Sequence, residues 1–145
     1  MKKDIILAGV GGQGILTIAT IIGDAAAAAG VNLKQAEVHG MSQRGGDVQS
    51  NLRLSSEPIY SDLIRKGDAD LIISMEPMEA LRYVGELDKG GCVVTSSQPF
   101  KNIPNYPSEE ALEAELSALP RCVKQPIEEL AKAHSMPTSA NIILL

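Results

Sequence analysis

The chain has 145 residues, of which 44% are hydrophobic, and a formal net charge of −5, which predicts one domain with a substantial core. The acidic balance, with one Phe, three Tyr and no Trp, argues against a nucleic-acid partner, because few groups remain to neutralise phosphates or stack on bases. The two cysteines lack metal-site or redox spacing, and no segment reaches the ~18 apolar residues of a membrane span, so we expect reduced thiols in a cytoplasmic protein.

The chain opens with the pattern of a strand, a glycine turn and a helix. The apolar run Ile5–Ala8 leads into Gly9, Gly11 and Gly14, and apolar residues then recur at helical spacing over Gly12–Ala29. In this context the glycine spacing predicts a tight turn at Gly9, close approach of a ligand at Gly11 and close packing of the helix at Gly14.

The start of this first helix is a candidate anion site. The backbone N–H groups of Gly12, Gln13 and Gly14 are predicted to be free at the helix N-terminus, where the macrodipole favours a phosphate or another anion. A glycine turn that only packs the first βα unit is an equally good interpretation, because the motif alone is a weak signal.

The apolar stripe of the first helix is unusually wide. Leu16 and Ile21 lie beside the regular inward positions, which include Ala25 and Ala29. A helix of this kind is predicted to be covered on more than one side. Its second cover is either the core of the same domain or another subunit.

A second strand is predicted over Val31–Val38, and a glycine-bracketed polar loop follows it. Glu37 comes roughly 20 residues after the last glycine of the turn, near the position of the ribose-binding carboxylate in dinucleotide-binding folds. The loop offers a hydroxyl, an amide and a guanidinium, which suits gripping a carboxylate or phosphate through Arg44 or docking against a partner. A solvated surface loop is the alternative. The loop residues that we single out are Met41, Ser42, Gln43, Arg44, Gly45 and Gly46.

The middle of the chain is predicted to return to the sheet and to place one carboxylate at its edge. A strand over Val48–Ser55 and a short strand at Ile59–Tyr60 precede the apolar strand Ala69–Ser74. Glu76 follows at the carboxyl end of that strand, where open α/β sheets bind ligands, although such a glutamate can also simply cap the helix that begins at Pro77.

The second half continues the alternation of strands and helices. The predicted elements are a strand at Cys92–Ser96, a proline-rich connection, a helix from Ser108 to Leu119, a strand at Cys122–Val123, a helix from Pro126 to about His134, and a final helix that starts near Thr138. We therefore predict an α/β fold, an open and mostly parallel Rossmann-like three-layer sandwich, with no prediction of strand order. The last helix has no stop signal, so we expect a C-terminally truncated chain.

Four segments together resemble the gamma-type domain of the 2-oxoacid:ferredoxin oxidoreductases. They are G-V-G-G-Q-G-I-L-T at the start, H-G-M-S-Q-R-G-G in the loop, E-P-M-E-A-L-R from Glu76, and A-N-I-I-L-L at the end. Within that family the beta subunit of indolepyruvate:ferredoxin oxidoreductase is the most similar. The resemblance covers the whole chain and treats residues 1–145 as one pyruvate/ketoisovalerate oxidoreductase gamma-type domain.

The resemblance implies an enzyme complex rather than a self-sufficient enzyme. Such complexes decarboxylate a 2-oxoacid oxidatively with thiamine diphosphate and coenzyme A and pass electrons through iron–sulfur clusters to ferredoxin. The implied partner is a large subunit that carries the thiamine diphosphate and the clusters, so this chain would bind no cofactor alone; in isolation it could form a homodimer. The glycine turn and the arginine-bearing loop would share one rim that contacts the partner, the substrate entrance or coenzyme A phosphates, and no general base is assigned.

Two other hypotheses remain open at this point. The first is a stand-alone dinucleotide-binding oxidoreductase that uses Gly9, Gly11, Gly14 and Glu37. The second is an interaction module whose glycine turn binds nothing. A dinucleotide-binding chain should bind its cofactor alone, whereas the oxidoreductase subunit should be inactive without its large partner.

Overall fold

The computed structural model describes residues 1–39 and 45–145 and contains one six-stranded sheet. The strands are β1 (Lys2–Val10), β2 (Asn32–His39), β3 (Asp47–Ser55), β4 (Ala69–Ser74), β5 (Leu87–Ser96) and β6 (Cys122–Gln125). Their order is β2-β3-β1-β4-β5-β6. β1, β4, β5 and β6 are parallel neighbours, whereas β3 is antiparallel to both β1 and β2. The prediction of an open, mostly parallel sheet is confirmed.

Helices cover both faces of the sheet. They are α1 (Ile15–Ala28), α2 (Pro77–Arg82), α3 (Glu109–Ala118), α4 (Ile127–Ala133) and α5 (Ala140–Leu144). Side chains alternate along β1, so Ile5 and Leu7 join the core under α1, α4 and α5, while Ile6 joins the core under α2 and α3. This is the predicted three-layer sandwich. No helix in the part of the chain that the structure describes is long and apolar enough to cross a membrane.

Several predicted elements differ from the structure. α1 begins at Ile15 rather than Gly12, and β5 begins at Leu87 rather than Cys92. Ile59–Tyr60 is not a strand. Instead the Arg53 guanidinium on β3 donates to the carbonyl oxygens of Ser61 and Leu63 at 3.0 and 3.1 Å, which ties this irregular connection to β3 through a side chain. Tyr60 is exposed.

In the described residues α1 packs on the sheet and on α5, and its outer side is left uncovered. Ile15, Ile18 and Ala19 are buried against the sheet, whereas Leu16 and Ile21 remain exposed on the outer side. The predicted inward positions Ala25 and Ala29 are exposed as well. The second cover that the wide apolar stripe predicts is therefore not supplied by the described part of this chain.

Candidate functional site at the carboxyl edge of the sheet

The glycine turn forms as predicted, but two of its glycines exchange roles. Gly14 caps α1 in the left-handed region with φ 79°, and Gly12 has φ 99°, so these positions make the turn. Gly9 still belongs to β1, and a Cβ there would lie 2.7 Å from Ile15 Cδ1. Gly9 therefore permits the close packing of helix on strand that the sequence analysis assigned to Gly14, and the assignment of the tight turn to Gly9 was wrong.

Gln13 is hydrogen-bonded within the turn, so its backbone N–H is not free to bind a ligand. Its backbone N–H donates to the Val10 carbonyl at 3.1 Å, and its Oε1 accepts from the Val10 N–H at 2.7 Å. Its Nε2 donates to the Met75 carbonyl at the end of β4, at 3.5 Å. The prediction of a free N–H at Gln13 is wrong, while those at Gly12 and Gly14 stay predictions.

Asn141 from α5 covers the start of α1. Its Nδ2 donates to the Gly14 carbonyl at 3.3 Å, and a Cβ on Gly14 would lie 2.5 Å from that nitrogen. Beside this contact lies an open cleft of about 410 Å³ with polar and apolar walls, whose lining includes Gly12, Gln13, Thr17, Glu128, Lys132 and Asn141. The turn therefore borders a cleft with one lysine and one glutamate in its wall. The sequence places Asn141 in a motif of the resemblance but gives no sign of its contact with a residue so far away in the chain.

The exit of the polar loop meets the glycine turn. The Gly11 N–H donates to the Gly46 carbonyl at 2.8 Å, and the Gly45 carbonyl accepts from Asn102 Nδ2 at 2.7 Å. The expected meeting of the glycine turn and the loop is thus confirmed at Gly45 and Gly46, while binding of a ligand or partner by these residues stays a prediction; below, "the rim" means Gly11–Gly14 with Gly45–Gly46. The predictions for Met41, Ser42, Gln43 and Arg44 lie outside the described residues.

The Glu76 side chain is fully buried and caps the N-terminus of α2. Its Oε2 accepts from the Glu79 N–H at 2.9 Å, and its Oε1 accepts from the Phe100 N–H at 3.2 Å and from the Tyr106 hydroxyl. Burial raises the pKa of Glu76, although these three donors oppose the rise. Since every one of these partners is a protein group, the helix-cap interpretation is supported, and binding of a ligand or partner at Glu76 stays a prediction.

Tyr106 is a site residue that the sequence analysis missed. It lies between two prolines in an irregular connection, where no periodicity shows which way a side chain points. Burial and the Glu76 carboxylate raise the pKa of the Tyr106 hydroxyl, which therefore stays protonated and donates. Because an isolated buried carboxylate is costly, a hydrogen-bond donor to Glu76 could have been expected. The sequence does not show that Tyr106 is that donor.

Strand order separates Glu37 from the glycine turn. β3 lies between β1 and β2, so the strand of Glu37 is two strand spacings, roughly 10 Å, from the strand that leads into the turn. Glu37 is also exposed, and it lies on β2 opposite Ser50 of β3. This arrangement removes the geometric basis for a ribose-binding role, because that role requires the second strand beside the first.

Metal ligation finds no support in the described residues 1–39 and 45–145, which hold no group of three or more His, Cys, Asp or Glu able to bind a metal. Cys92 and Cys122 are free, half-buried thiols on the neighbouring strands β5 and β6. Burial raises the pKa of the Cys122 thiol, which disfavours the reactive thiolate. Both cysteines lie on the opposite side of β1 in the sheet from β2 and β3.

Gly9→Ala is expected to lower the free energy of unfolding by about 2 kcal/mol, because the new methyl overpacks against Ile15 and Gln13. Gly23→Ala is the matched control: a Cβ at Gly23, in the middle of α1, meets only Leu33 Cδ2 at 3.9 Å. The control should stabilise the chain by roughly 0.5–1 kcal/mol through helix propensity. Urea unfolding of both variants measures the difference, and equal effects of the same sign would contradict the close packing at Gly9.

Comparison with protein families identifies one family over nearly the whole chain. Residues 4–145 match the family described as pyruvate ferredoxin/flavodoxin oxidoreductase. The chain is 44% identical over 119 residues to "Indolepyruvate oxidoreductase subunit IorB" of Pyrococcus horikoshii, covering 77% of this chain and 58% of that protein. It is 50% identical over 101 residues to the protein of the same name from Thermococcus kodakarensis, covering 69% and 50%. This chain thus spans about half the length of these two relatives.

A longer alignment agrees with this assignment, and two solved structures share the fold. The protein named IorB of Archaeoglobus fulgidus is 36% identical with all of this chain and 75% of that protein covered. The gamma subunit of a keto/oxoacid ferredoxin oxidoreductase from Geobacter sulfurreducens shares the fold, with a TM-score of 0.65, 19% identity, and coverage of 99% of this chain and 71% of that one. A 2-oxoglutarate:ferredoxin oxidoreductase from Magnetococcus marinus matches with a TM-score of 0.73, 21% identity, and coverage of 99% and 23%. The chain therefore belongs to the pyruvate ferredoxin/flavodoxin oxidoreductase family.

Proposed function

We propose that this chain is the subunit without redox cofactors in a 2-oxoacid:ferredoxin oxidoreductase whose substrate is indolepyruvate or a related arylpyruvate. The observation that carries the proposal is the 36–50% identity to relatives named indolepyruvate oxidoreductase subunits. The complex would decarboxylate the 2-oxoacid oxidatively, form the coenzyme A thioester and pass two electrons to ferredoxin. Its cytoplasmic location, predicted from the sequence, is part of the same proposal.

The donor groups of this chain fit a supporting role. An iron–sulfur cluster is usually held by four cysteine thiolates, and the whole chain has two cysteines. Clusters are therefore not assigned to it, and the proposal places them, together with the thiamine diphosphate that the family resemblance implies, in a larger partner subunit. The solved Magnetococcus marinus enzyme is described with coenzyme A bound; here we assign coenzyme A contacts to the rim and its cleft, where Lys132 and the predicted N–H groups of Gly12 and Gly14 could meet phosphates.

The chain would then form one wall of the assembled active site. The rim faces outward from the carboxyl edge of the sheet, the usual ligand-binding edge of open α/β folds. The outer side of α1 leaves Leu16 and Ile21 exposed, which suits a contact with the large subunit. The chemistry of decarboxylation and electron transfer would come from the cofactors of the partner. This chain would bind and orient the substrate and exclude water from the site.

Reconstitution with the cognate large subunit tests the proposal. We expect the chain alone to give no indolepyruvate-dependent reduction of benzyl viologen, and the mixture to reduce benzyl viologen or ferredoxin only when coenzyme A is added. Pyruvate and 2-oxoglutarate should be poorer substrates than indolepyruvate. Turnover by the isolated chain, or tight binding of NADH to it, would instead support the stand-alone oxidoreductase.

Arg44→Ala tests the role of the arginine-bearing loop in the same assay. If Arg44 grips a substrate or partner carboxylate or phosphate, its loss should lower kcat/KM about tenfold or more, as expected for a charged hydrogen bond. Arg65→Ala is the control, because Arg65 is exposed just before the opposite, amino end of β4 and contacts only Asp68, at 3.6 Å, in the described residues. Equal rates and equal assembly for both variants would remove the loop from the proposed site.

A further inference from the structure

The connection between β5 and α3, residues 97–107 and here called the strap, is irregular yet tied down at several points. At its start the Ser97 N–H donates to the Gln125 carbonyl at 2.9 Å. Further along, the Phe100 N–H and the Tyr106 hydroxyl both donate to the buried Glu76 carboxylate. The backbone between residues 100 and 106 is therefore anchored at both ends, and whatever this stretch contacts is held in place.

Asn102 lies between these two anchors and contacts the rim. Its Nδ2 donates to the Gly45 carbonyl at 2.7 Å, while the next carbonyl, that of Gly46, accepts from the Gly11 N–H at 2.8 Å. Two consecutive carbonyls are thus held from two directions, one by the strap and one by the glycine turn. Gly45 has φ 75°, a left-handed backbone conformation that glycine adopts without steric cost.

The environment of Asn102 is poor for stability alone. Its Oδ1 is buried and has no hydrogen-bond partner among the described residues. An unpaired buried acceptor opposes folding and offsets much of what the Nδ2 bond contributes. The side chain is therefore better explained by where it holds Gly45 than by net stabilisation.

We propose that Asn102 is a positioning residue that fixes the Gly45–Gly46 stem against the glycine turn and so sets the shape of the rim. The proposal rests on the proposed function, because the rim would then be part of the wall that substrates meet. Asn102 touches no reacting atom in this assignment. Its effect should appear in binding of substrates rather than in the chemical step.

The test compares Asn102→Asp with Asn105→Asp. Both variants add one negative charge to the strap, but Asn105 is exposed, so only Asn102→Asp removes a donor from the rim. In the chain, measured by NMR, amide exchange of Gly11 should be about tenfold faster in Asn102→Asp than in Asn105→Asp, beyond the increase that any fall in global stability, measured as Tm, produces at all amides. In the reconstituted complex, Asn102→Asp should raise the KM for indolepyruvate or coenzyme A about fivefold and change kcat less than about twofold.

Gly11 amide exchange tests whether Asn102 holds the stem, and the kinetics of the reconstituted complex test whether the rim binds substrates. Equal Gly11 exchange in the two variants overturns the positioning role, and faster exchange with an unchanged KM overturns its importance for the rim. A lower Tm of Asn102→Asp with a proportionate loss of kcat would show that Asn102 stabilises the fold and does not position the rim. If the wild-type complex has no activity, the proposed function fails, while the exchange experiment still decides whether Asn102 holds the stem. Asn102→Ala, which removes the unpaired acceptor as well, should repeat the exchange result.

Discussion

Replacing Glu76 with alanine is expected to lower the free energy of unfolding by about 4 kcal/mol, the largest effect of any single change considered for this chain. The carboxylate is fully buried and accepts hydrogen bonds from Glu79, Phe100 and Tyr106. Alanine leaves all three donors without an acceptor, and each buried unpaired donor costs about 1–3 kcal/mol. The loss also uncaps α2 and releases the strap. Urea unfolding at pH 7 measures it.

Glu76→Gln separates shape from charge and gives a pH test. Glutamine keeps an oxygen for Tyr106 and Phe100 but turns its NH₂ toward the Glu79 N–H, so we expect a smaller loss of about 1–2 kcal/mol. Because burial raises the folded pKa of Glu76 above 4.5, the folded state binds its proton more tightly than the unfolded state does. Stability from this group is therefore complete below the unfolded pKa and is lost as pH rises through the folded pKa.

The wild type should accordingly gain stability relative to Glu76→Gln as the pH is lowered from 7 to below the unfolded pKa of 4.5. Glu115→Gln is the matched control, since Glu115 is exposed on α3 and its replacement should change stability by less than about 0.5 kcal/mol at either pH. A wild type that loses stability relative to Glu76→Gln over this range would show that the hydrogen bonds, not burial, dominate the pKa of Glu76.

The first βα unit illustrates what the sequence could predict. Strand, turn and helix follow from an apolar run, three spaced glycines and helical periodicity, all of which are local signals. The sequence could not show which glycine needs a left-handed backbone and which needs room, because that depends on how closely α1 packs on β1. Gly14 and Gly9 were therefore assigned each other's roles.

Long-range partners account for the remaining differences. β3 inserts between β1 and β2 through antiparallel pairing, and nothing in the alternation of its side chains distinguishes that position from an edge. Glu76 finds Tyr106, 30 positions away, and Gly45 finds Asn102, 57 positions away. Local propensity carries no information about such pairs, so the sequence predicts the edge of the sheet that carries the site but not the groups that hold it in shape.

The second large effect is expected at the opposite edge of the sheet, where Arg53→Met should lower the free energy of unfolding by about 3 kcal/mol. Asp4 is fully buried, and the Arg53 guanidinium donates to its two carboxylate oxygens at 2.9 and 3.2 Å. Lys2 also reaches Asp4, at 2.9 Å, but its side chain is 58% exposed and can compensate only in part. Removing the guanidinium leaves a buried carboxylate with one solvent-screened partner.

A double variant shows whether the buried ion pair of Asp4 and Arg53 stabilises the fold, or whether the loss in Arg53→Met comes from leaving Asp4 buried without its partner. Replacing both members of a buried ion pair with apolar residues is often neutral, whereas breaking the pair is costly. Asp4→Leu with Arg53→Met should therefore recover about 1–2 kcal/mol of the single-variant loss, less the contribution of the Arg53 bonds to Ser61 and Leu63. A double variant that is less stable than Arg53→Met alone would show that the pair itself stabilises the fold.

An exposed pair on the same edge provides the control, and the proposed function adds a second readout. Lys3 pairs with Asp70 at 2.9 Å with both side chains partly exposed, so Lys3→Ala should cost less than about 0.5 kcal/mol. Because Arg53 lies at the amino end of β1 and the rim at its carboxyl end, Arg53→Met should leave the KM values of the reconstituted complex unchanged while the protein is folded. Altered KM values at full folding would mean that the two ends of β1 are coupled, and the rim would then depend on the whole sheet rather than on the strap and the glycine turn.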